Sequence, residues 1–81
     1  MVITLGNLPP HVTQEDISDL LRGDARIQKI TFNNEGNPNK VTALIDIDID
    51  RFEAQFISKK LNRTFFEDRR IEAYTPLFYG R

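Results

Sequence analysis

The chain has 81 residues, of which 40% are hydrophobic and 28% charged, and its formal net charge at pH 7 is −1. This length allows one small hydrophobic core and excludes a second domain, and the near-neutral charge excludes a polyanion binder that acts through a global positive field. Because the chain has no cysteine, disulfides and thiolate metal sites are also excluded. No apolar run approaches the length of a membrane-spanning helix, and no basic and apolar leader opens the chain.

The first half of the chain predicts a strand, a helix and a second strand. Val2–Leu5 alternates between apolar and other residues, as a half-buried strand does. Thr13 is the expected N-cap of the first helix, with Asp16 completing a capping box and Gly23 ending the helix. Arg26–Phe32 is the expected second strand, and one irregular step in its apolar spacing predicts a β-bulge.

The second half predicts a hairpin, a helix and a last strand. A turn-rich linker leads into the third strand, Val41–Ile47, and Asp50 is the expected N-cap of the second helix. The apolar residues of that helix follow at near-helical spacing, and they are Phe52, Ala54, Phe56, Ile57 and Leu61. Arg70–Thr75 is the expected last strand, with Ile71 and Ala73 facing the core.

The order βαββαβ predicts an α+β, ferredoxin-like fold, in which two helices pack on one face of a four-stranded antiparallel sheet. We expect one domain over residues 1–76 and a C-terminal tail over residues 77–81. The end at Arg81 suits a monomeric domain that belongs to a larger protein.

Two segments carry a resemblance to a known family. Ile3–Leu8 and Lys40–Ile47 resemble, in spacing and setting, the two ribonucleoprotein signatures of the RNA recognition motif (RRM) family, and the resemblance extends over about residues 2–75. In that family the open face of the sheet carries aromatic rings on which bases stack. Here the ring positions are Thr4, Thr42 and Leu44. The resemblance therefore implies an RNA-binding scaffold that lacks its usual stacking rings.

This resemblance predicts a module that binds single-stranded RNA with modest affinity. Phosphates would be contacted by basic residues, namely Lys29, Lys40, Arg69 and Arg70. Bases would meet the open sheet and its loops, at Thr4, Asn7, Thr31, Asn33, Thr42, Leu44 and Tyr74. Stacking is worth roughly 1–3 kcal/mol per base, so the missing rings predict weak sheet binding.

Two variants of the family remain open. The quasi-RRM group lacks sheet aromatics and grips guanine-rich single strands with its loops. The UHM group holds a Trp-containing peptide with an acidic first helix and an Arg-X-Phe loop, and the aligned loop here is Thr64-Phe65-Phe66. The second variant favours a protein-interaction module on the same scaffold. Its candidate surface is either the acidic first helix with Phe65, at Glu15, Asp16, Asp19 and Phe65, or the sheet side, at Leu44, Phe78 and Tyr79. Self-association through the sheet face is a third alternative.

Several residues have a structural as well as a functional interpretation. Tyr74 either stacks on a base or covers the edge of the sheet, and Phe78 and Tyr79 either shield the open face or supply rings to a ligand. Phe66 is expected in the core and Phe65 on the surface. The basic residues at the end of the second helix form either a solvated face or a phosphate patch, and they are Lys59, Lys60 and Arg63.

Enzymatic activity is not expected, because the chain has no Gly-rich phosphate loop, metal-ligand cluster or nucleophile–base pair. We expect no cofactor, no metal and no membrane partner. The expected location is intracellular, in the nucleus rather than the cytoplasm.

Overall fold

The computed structural model describes residues 1–34, 36 and 38–75. Its elements, in chain order, are β1 (Val2–Leu8), α1 (Gln14–Leu20), β2 (Ile27–Asn33), β3 (Val41–Ile47), α2 (Arg51–Leu61), β4 (Phe65–Phe66), β5 (Arg69–Arg70) and β6 (Glu72–Tyr74). The main sheet is antiparallel and four-stranded, in the order β2-β3-β1-β6, and β4 and β5 form a separate two-stranded hairpin. The predicted α+β arrangement is confirmed.

The sheet has one buried face, which forms the core with the two helices. Ile3 and Leu5 of β1 and Ile45 and Ile47 of β3 are fully buried, and they alternate with side chains that point to the opposite face. Ile17 of α1 is also fully buried. The predicted bulge in β2 is confirmed as a register shift in its pairing with β3.

Helix α1 begins at the predicted capping box. The Thr13 hydroxyl accepts a hydrogen bond from Asp16 N–H at 3.1 Å, and Thr13 N–H donates to the Asp16 carboxylate at 3.0 Å. The helix ends one residue earlier than the sequence suggested. Arg22, with φ 58°, occupies the left-handed position, and Gly23 follows it and donates its N–H to Ser18 C=O at 2.8 Å. The cap is therefore a Schellman motif with arginine where glycine is usual.

The last strand differs from its prediction. Arg69–Arg70 pairs with β4, and only Glu72–Tyr74 joins the main sheet beside β1. Ile71, between them, is fully buried, and its N–H donates to Thr64 C=O at 2.8 Å. The predicted single strand Arg70–Thr75 is thus divided, because the chain first forms a local hairpin before it reaches the edge of the sheet.

Two aromatic residues of α2 lie outside the core, contrary to the predicted apolar face. Phe52 is 76% exposed and Phe56 is 63% exposed. The helix packs through the stripe Ala54, Ser58 and Leu61, and the Ser58 hydroxyl donates to Ala54 C=O at 2.8 Å. Each phenylalanine stands two positions from this stripe, which is about 200° around the helix, and so faces outward.

A charged network joins the start of β2 to α2. The Arg26 guanidinium donates to the Asp24 carboxylate at 2.7 Å and to the Glu53 carboxylate at 2.7 Å. Hydrogen bonds from the Arg26 side chain, and then from its backbone N–H, lower the pKa of Asp24 from 3.8 to about 2. Ionised Asp24 therefore stabilises the fold above about pH 4, and this contribution is lost as the pH falls toward 2.

Asp24→Asn is expected to reduce the dependence of stability on pH in this window. Urea unfolding of both proteins at pH 5, 3.5 and 2.5 measures the effect, and the loss of unfolding free energy on acidification should be smaller for the variant. An equal loss in the two proteins would contradict the assignment of the network.

Candidate nucleic-acid interface

The open face of the sheet carries one row of side chains that crosses all four strands. Thr31 of β2 opposes Leu44 of β3, Leu44 opposes Thr4 of β1, and Thr4 opposes Tyr74 of β6. Leu44 is 39% exposed and Tyr74 is 56% exposed, whereas Thr4 is only 5% exposed. The row therefore offers an apolar centre and one accessible ring at the sheet edge.

The neighbouring positions of the face are polar or charged. Lys29 opposes Asp46, and Asn33 opposes Thr42. At the other edge Glu72 opposes Gly6, and a Cβ atom added to Gly6 would lie 3.6 Å from a Glu72 carboxylate oxygen. The negative charges of Asp46 and Glu72 offset the positive charge of Lys29, so the face has no strong positive potential of its own. It does offer donors and acceptors to the edges of bases.

Some predicted contact residues are engaged in holding the fold together. Arg69 is partly buried, and one of its terminal nitrogens, Nη1, donates both to Leu8 C=O at 3.3 Å and to Asn39 C=O. Asn7, whose φ is 62°, donates from its side chain to Arg70 C=O at 2.9 Å. Arg69 therefore has a structural role. Fewer of its N–H groups remain for the predicted phosphate contact than in an arginine without these hydrogen bonds.

The remaining predicted basic residues differ in their surroundings. Lys40 is exposed immediately before β3, next to the linker from β2. Arg70 is exposed and lies over the Phe65 ring, with its guanidinium carbon 5.7 Å from the ring centroid. The sequence placed Arg70 in the RNA-binding set and Phe65 in the protein-binding set, and the structure brings the two together.

The residues of the alternative protein-binding surface are less closely grouped. Glu15 and Asp19 are exposed near α1, but the Asp16 carboxylate is occupied in the capping box. Phe65 is 65% exposed on the β4–β5 hairpin, and Phe66 packs against the core, as expected. Phe78 and Tyr79 lie outside the described residues.

The helical side holds exposed aromatic residues that the sequence analysis counted on the apolar face of the second helix. The guanidinium carbon of Arg51 lies 5.8 Å from the Phe52 ring centroid, and the Lys60 ammonium lies 5.7 Å from that of Phe56. Both rings line a shallow groove between α2 and β6 that also includes Lys59. The signal in the sequence was the offset of the two phenylalanines from the Ala54 stripe.

No cluster of His, Cys, Asp or Glu within residues 1–34, 36 and 38–75 is arranged to hold a metal ion. In the same part of the chain, no helix is long and apolar enough to cross a membrane.

Comparison with known proteins identifies the scaffold. The family model described as "RNA recognition motif" matches residues 3–72. The chain belongs to the RNA recognition motif family. Domains of this family are generally RNA-binding modules rather than enzymes. A search of curated proteins gave no match.

Solved structures agree on the fold. The third RRM domain of Mip6 is 23% identical, with a TM-score of 0.75, over 90% of this chain and 88% of that one. The Rna15 RRM with bound RNA (GU) is 19% identical, with a TM-score of 0.70, over 94% and 82%. The first two RRM domains of the yeast poly(U)-binding protein Pub1 are 19% identical, with a TM-score of 0.75, over 91% and 44%.

Proposed function

We propose that this RRM domain binds single-stranded RNA with modest affinity through the open face of its sheet and the adjacent loops. The observation that carries the proposal is the row Thr31, Leu44, Thr4 and Tyr74, which lies on the face away from the helices. Rna15, an RRM of the same fold, has been solved with bound RNA. The row supplies an apolar surface and one ring at the position where a strand of bases would lie.

The modest affinity follows from the lack of aromatic rings at the centre of the row. A ring contributes roughly 1–3 kcal/mol per stacked base, and the central positions hold Thr4 and Leu44 instead of rings. Tyr74 is then the principal stacking group of the sheet. Hydroxyl and amide groups at Thr31, Asn33 and Thr42 supply hydrogen bonds to base edges.

Electrostatic attraction contributes through a few phosphate contacts. Lys29, Lys40 and Arg70 are exposed. Asp46, which pairs with Lys29, and Glu72 on the same face lower the positive charge that a phosphate would meet. With two or three phosphates neutralised, the logarithm of the binding constant should fall with the logarithm of the salt concentration at a slope of about −1.4 to −2.1. A much steeper slope would indicate a surface dominated by phosphate contacts.

Tyr74→Ala tests the sheet directly. Equilibrium titration of a fluorescently labelled pool of single-stranded RNA should show an affinity about fivefold or more below that of the unmodified protein, because one stacking platform is lost. Phe52→Ala, on the helical side, is the control and should bind as the unmodified protein does. No RNA binding by the unmodified protein, or equal losses in both variants, would contradict the proposal.

A second candidate function is recognition of a protein through the helical side. It is favoured by the exposure of Phe52 and Phe56, with Lys59 as the charged residue that lines their groove. A basic and aromatic groove of this kind suits an acidic peptide segment with apolar side chains. This surface replaces the acidic first helix as the better protein-binding candidate, since Asp16 is held in the capping box.

We also infer that the domain extends to about residue 76 and acts as a monomeric part of a larger protein; the predicted tail, residues 77–81, lies outside the described residues. An RNA-binding role favours an intracellular location, and RNA processing favours the nucleus.

A further inference from the structure

Among residues 1–34, 36 and 38–75, Phe65 is more exposed than Tyr74, the ring of the sheet, and it is paired with a planar cation. Phe65 and Arg70 stand directly opposite each other in the β4–β5 hairpin. The Arg70 guanidinium carbon is 5.7 Å from the ring centroid, yet Phe65 remains 65% exposed. Both an aromatic ring and a guanidinium plane are surfaces on which single-stranded bases stack.

The hairpin that carries this pair is fixed to the rest of the domain from several sides. Asn7 donates to Arg70 C=O at 2.9 Å, and Arg69 donates to Leu8 C=O at 3.3 Å. His11 Nε2 and a Glu67 carboxylate oxygen lie 2.5 Å apart across the tip of the hairpin. A ring held on a fixed hairpin loses little further freedom when a ligand stacks on it, which favours binding.

The space beside Phe65 is polar and carries balanced charge. Its charged lining residues are Arg63 and Arg70, which are basic, and Asp68 and Glu72, which are acidic. Both guanidinium groups attract a phosphate and both carboxylates repel it, so the charges of this space give a phosphate no advantage over an uncharged group, although Arg70 can still contact a phosphate outside it. A nucleobase is flat and uncharged and carries donors and acceptors on its edge, so it can stack on Phe65 and donate hydrogen bonds to a carboxylate.

One residue, Glu72, belongs both to this space and to the open face of the sheet. Glu72 opposes Gly6 in the sheet, and Tyr74 lies two residues further along the same strand and on the same face. A strand of RNA that stacks one base on Tyr74 therefore has a second ring available at the hairpin. Asn7 lines the same space and belongs to β1.

We propose that Phe65 and Arg70 form a binding site for one nucleobase at the edge of the sheet, with the Asp68 and Glu72 carboxylates accepting hydrogen bonds from the base. The site rests on the proposed RNA-binding function and extends it beyond the sheet. The site provides a stacking ring beside the sheet, whereas the positions of Thr4 and Leu44 within the sheet have none.

Phe65→Ala tests the site, and the chain offers a closely matched control. Phe56 is 63% exposed and has the Lys60 ammonium 5.7 Å from its ring centroid, but it lies on α2. In titrations with the labelled RNA pool, Phe65→Ala should lower the affinity about tenfold, Phe65→Tyr should retain it, and Phe56→Ala should leave it unchanged. Thermal unfolding of each variant verifies that the fold is intact.

An NMR measurement separates the site from the rest of the interface. In the complex of the unmodified protein with RNA, nuclear Overhauser effects should connect the Phe65 ring protons to base protons. Unchanged affinity in Phe65→Ala, while Tyr74→Ala weakens binding, would overturn the hairpin site and leave the proposed function standing; this is also the outcome expected if Phe65 contacts a protein. Absence of RNA binding by the unmodified protein would overturn both.

Discussion

Ile45→Ala is expected to lower the free energy of unfolding by about 2–5 kcal/mol, because it removes buried methyl groups and leaves a cavity. Ile45 lies at the centre of β3, is fully buried, and opposes Ile3 on one side and Ile30 on the other. Urea unfolding followed by circular dichroism measures the loss. Since a small domain has only about 5–15 kcal/mol of total stability, Ile45→Val provides a milder variant with an expected loss of about 0.5–1.5 kcal/mol.

Leu44→Ala is the matched control for this prediction. Leu44 is the neighbouring residue of the same strand, but it faces the open side and is 39% exposed. Its truncation should cost clearly less than that of Ile45. A larger cost at Leu44 than at Ile45 would mean that β3 is shifted by one residue, since such a shift exchanges the two faces of a strand. The candidate interface would then be incorrect.

Leu44→Phe is expected to raise the affinity for single-stranded RNA by about fivefold to a hundredfold. The substitution places a ring between Thr4 and Thr31, in line with Tyr74, where the RRM family carries rings, and a stacked base contributes roughly 1–3 kcal/mol. The partial exposure of Leu44 leaves room for the larger side chain. Titration of the labelled RNA pool at one fixed salt concentration measures the gain.

Leu44→Ile is the control for this gain, because it keeps an apolar side chain of the same size without a ring. Its affinity should stay close to that of the unmodified protein. If both variants gain affinity equally, the gain comes from apolar contact in general and not from stacking of a base on a ring. No gain in Leu44→Phe would indicate that RNA does not lie over the centre of the sheet.

The arrangement of the sheet could be predicted from the sequence because it depends on local alternation. Apolar residues recur at every second position of β3, which predicts that Ile45 and Ile47 face the core, as they do. The resemblance to the RRM family places Thr4 and Leu44 on the other face. The capping box at Thr13 and Asp16 was predictable for the same reason, since it uses only residues three apart.

Features that depend on competition between neighbouring segments were not predictable. The division of the last strand arises because Arg69–Arg70 pairs with β4, which a pattern of alternating residues does not reveal. The outward position of Phe52 and Phe56 follows from the smaller residues Ala54 and Ser58 meeting the sheet, whereas hydrophobicity alone favoured burying the rings.

The candidate site can be proposed from the sequence, but the contacts among its residues cannot. The sequence predicts Thr4, Leu44 and Tyr74 on the open face and a phosphate contact at Arg69, and both remain predictions. It does not reveal that one Arg69 nitrogen also donates to the Leu8 and Asn39 carbonyls. It also separated Phe65 from Arg70, which become partners only through the hairpin. The Arg69 hydrogen bonds and the Phe65–Arg70 contact form only in the folded chain, and the sequence positions of these residues do not indicate them.

The central claim is that RNA lies on the face of the sheet away from the helices, and the most direct test is a map of backbone amide shifts on titration with short single-stranded RNA. We predict the largest shifts at Thr31, Leu44, Thr4 and Tyr74, extending to the β4–β5 hairpin. Shifts confined to α1 and α2, or centred on Phe52 and Phe56, would contradict the account.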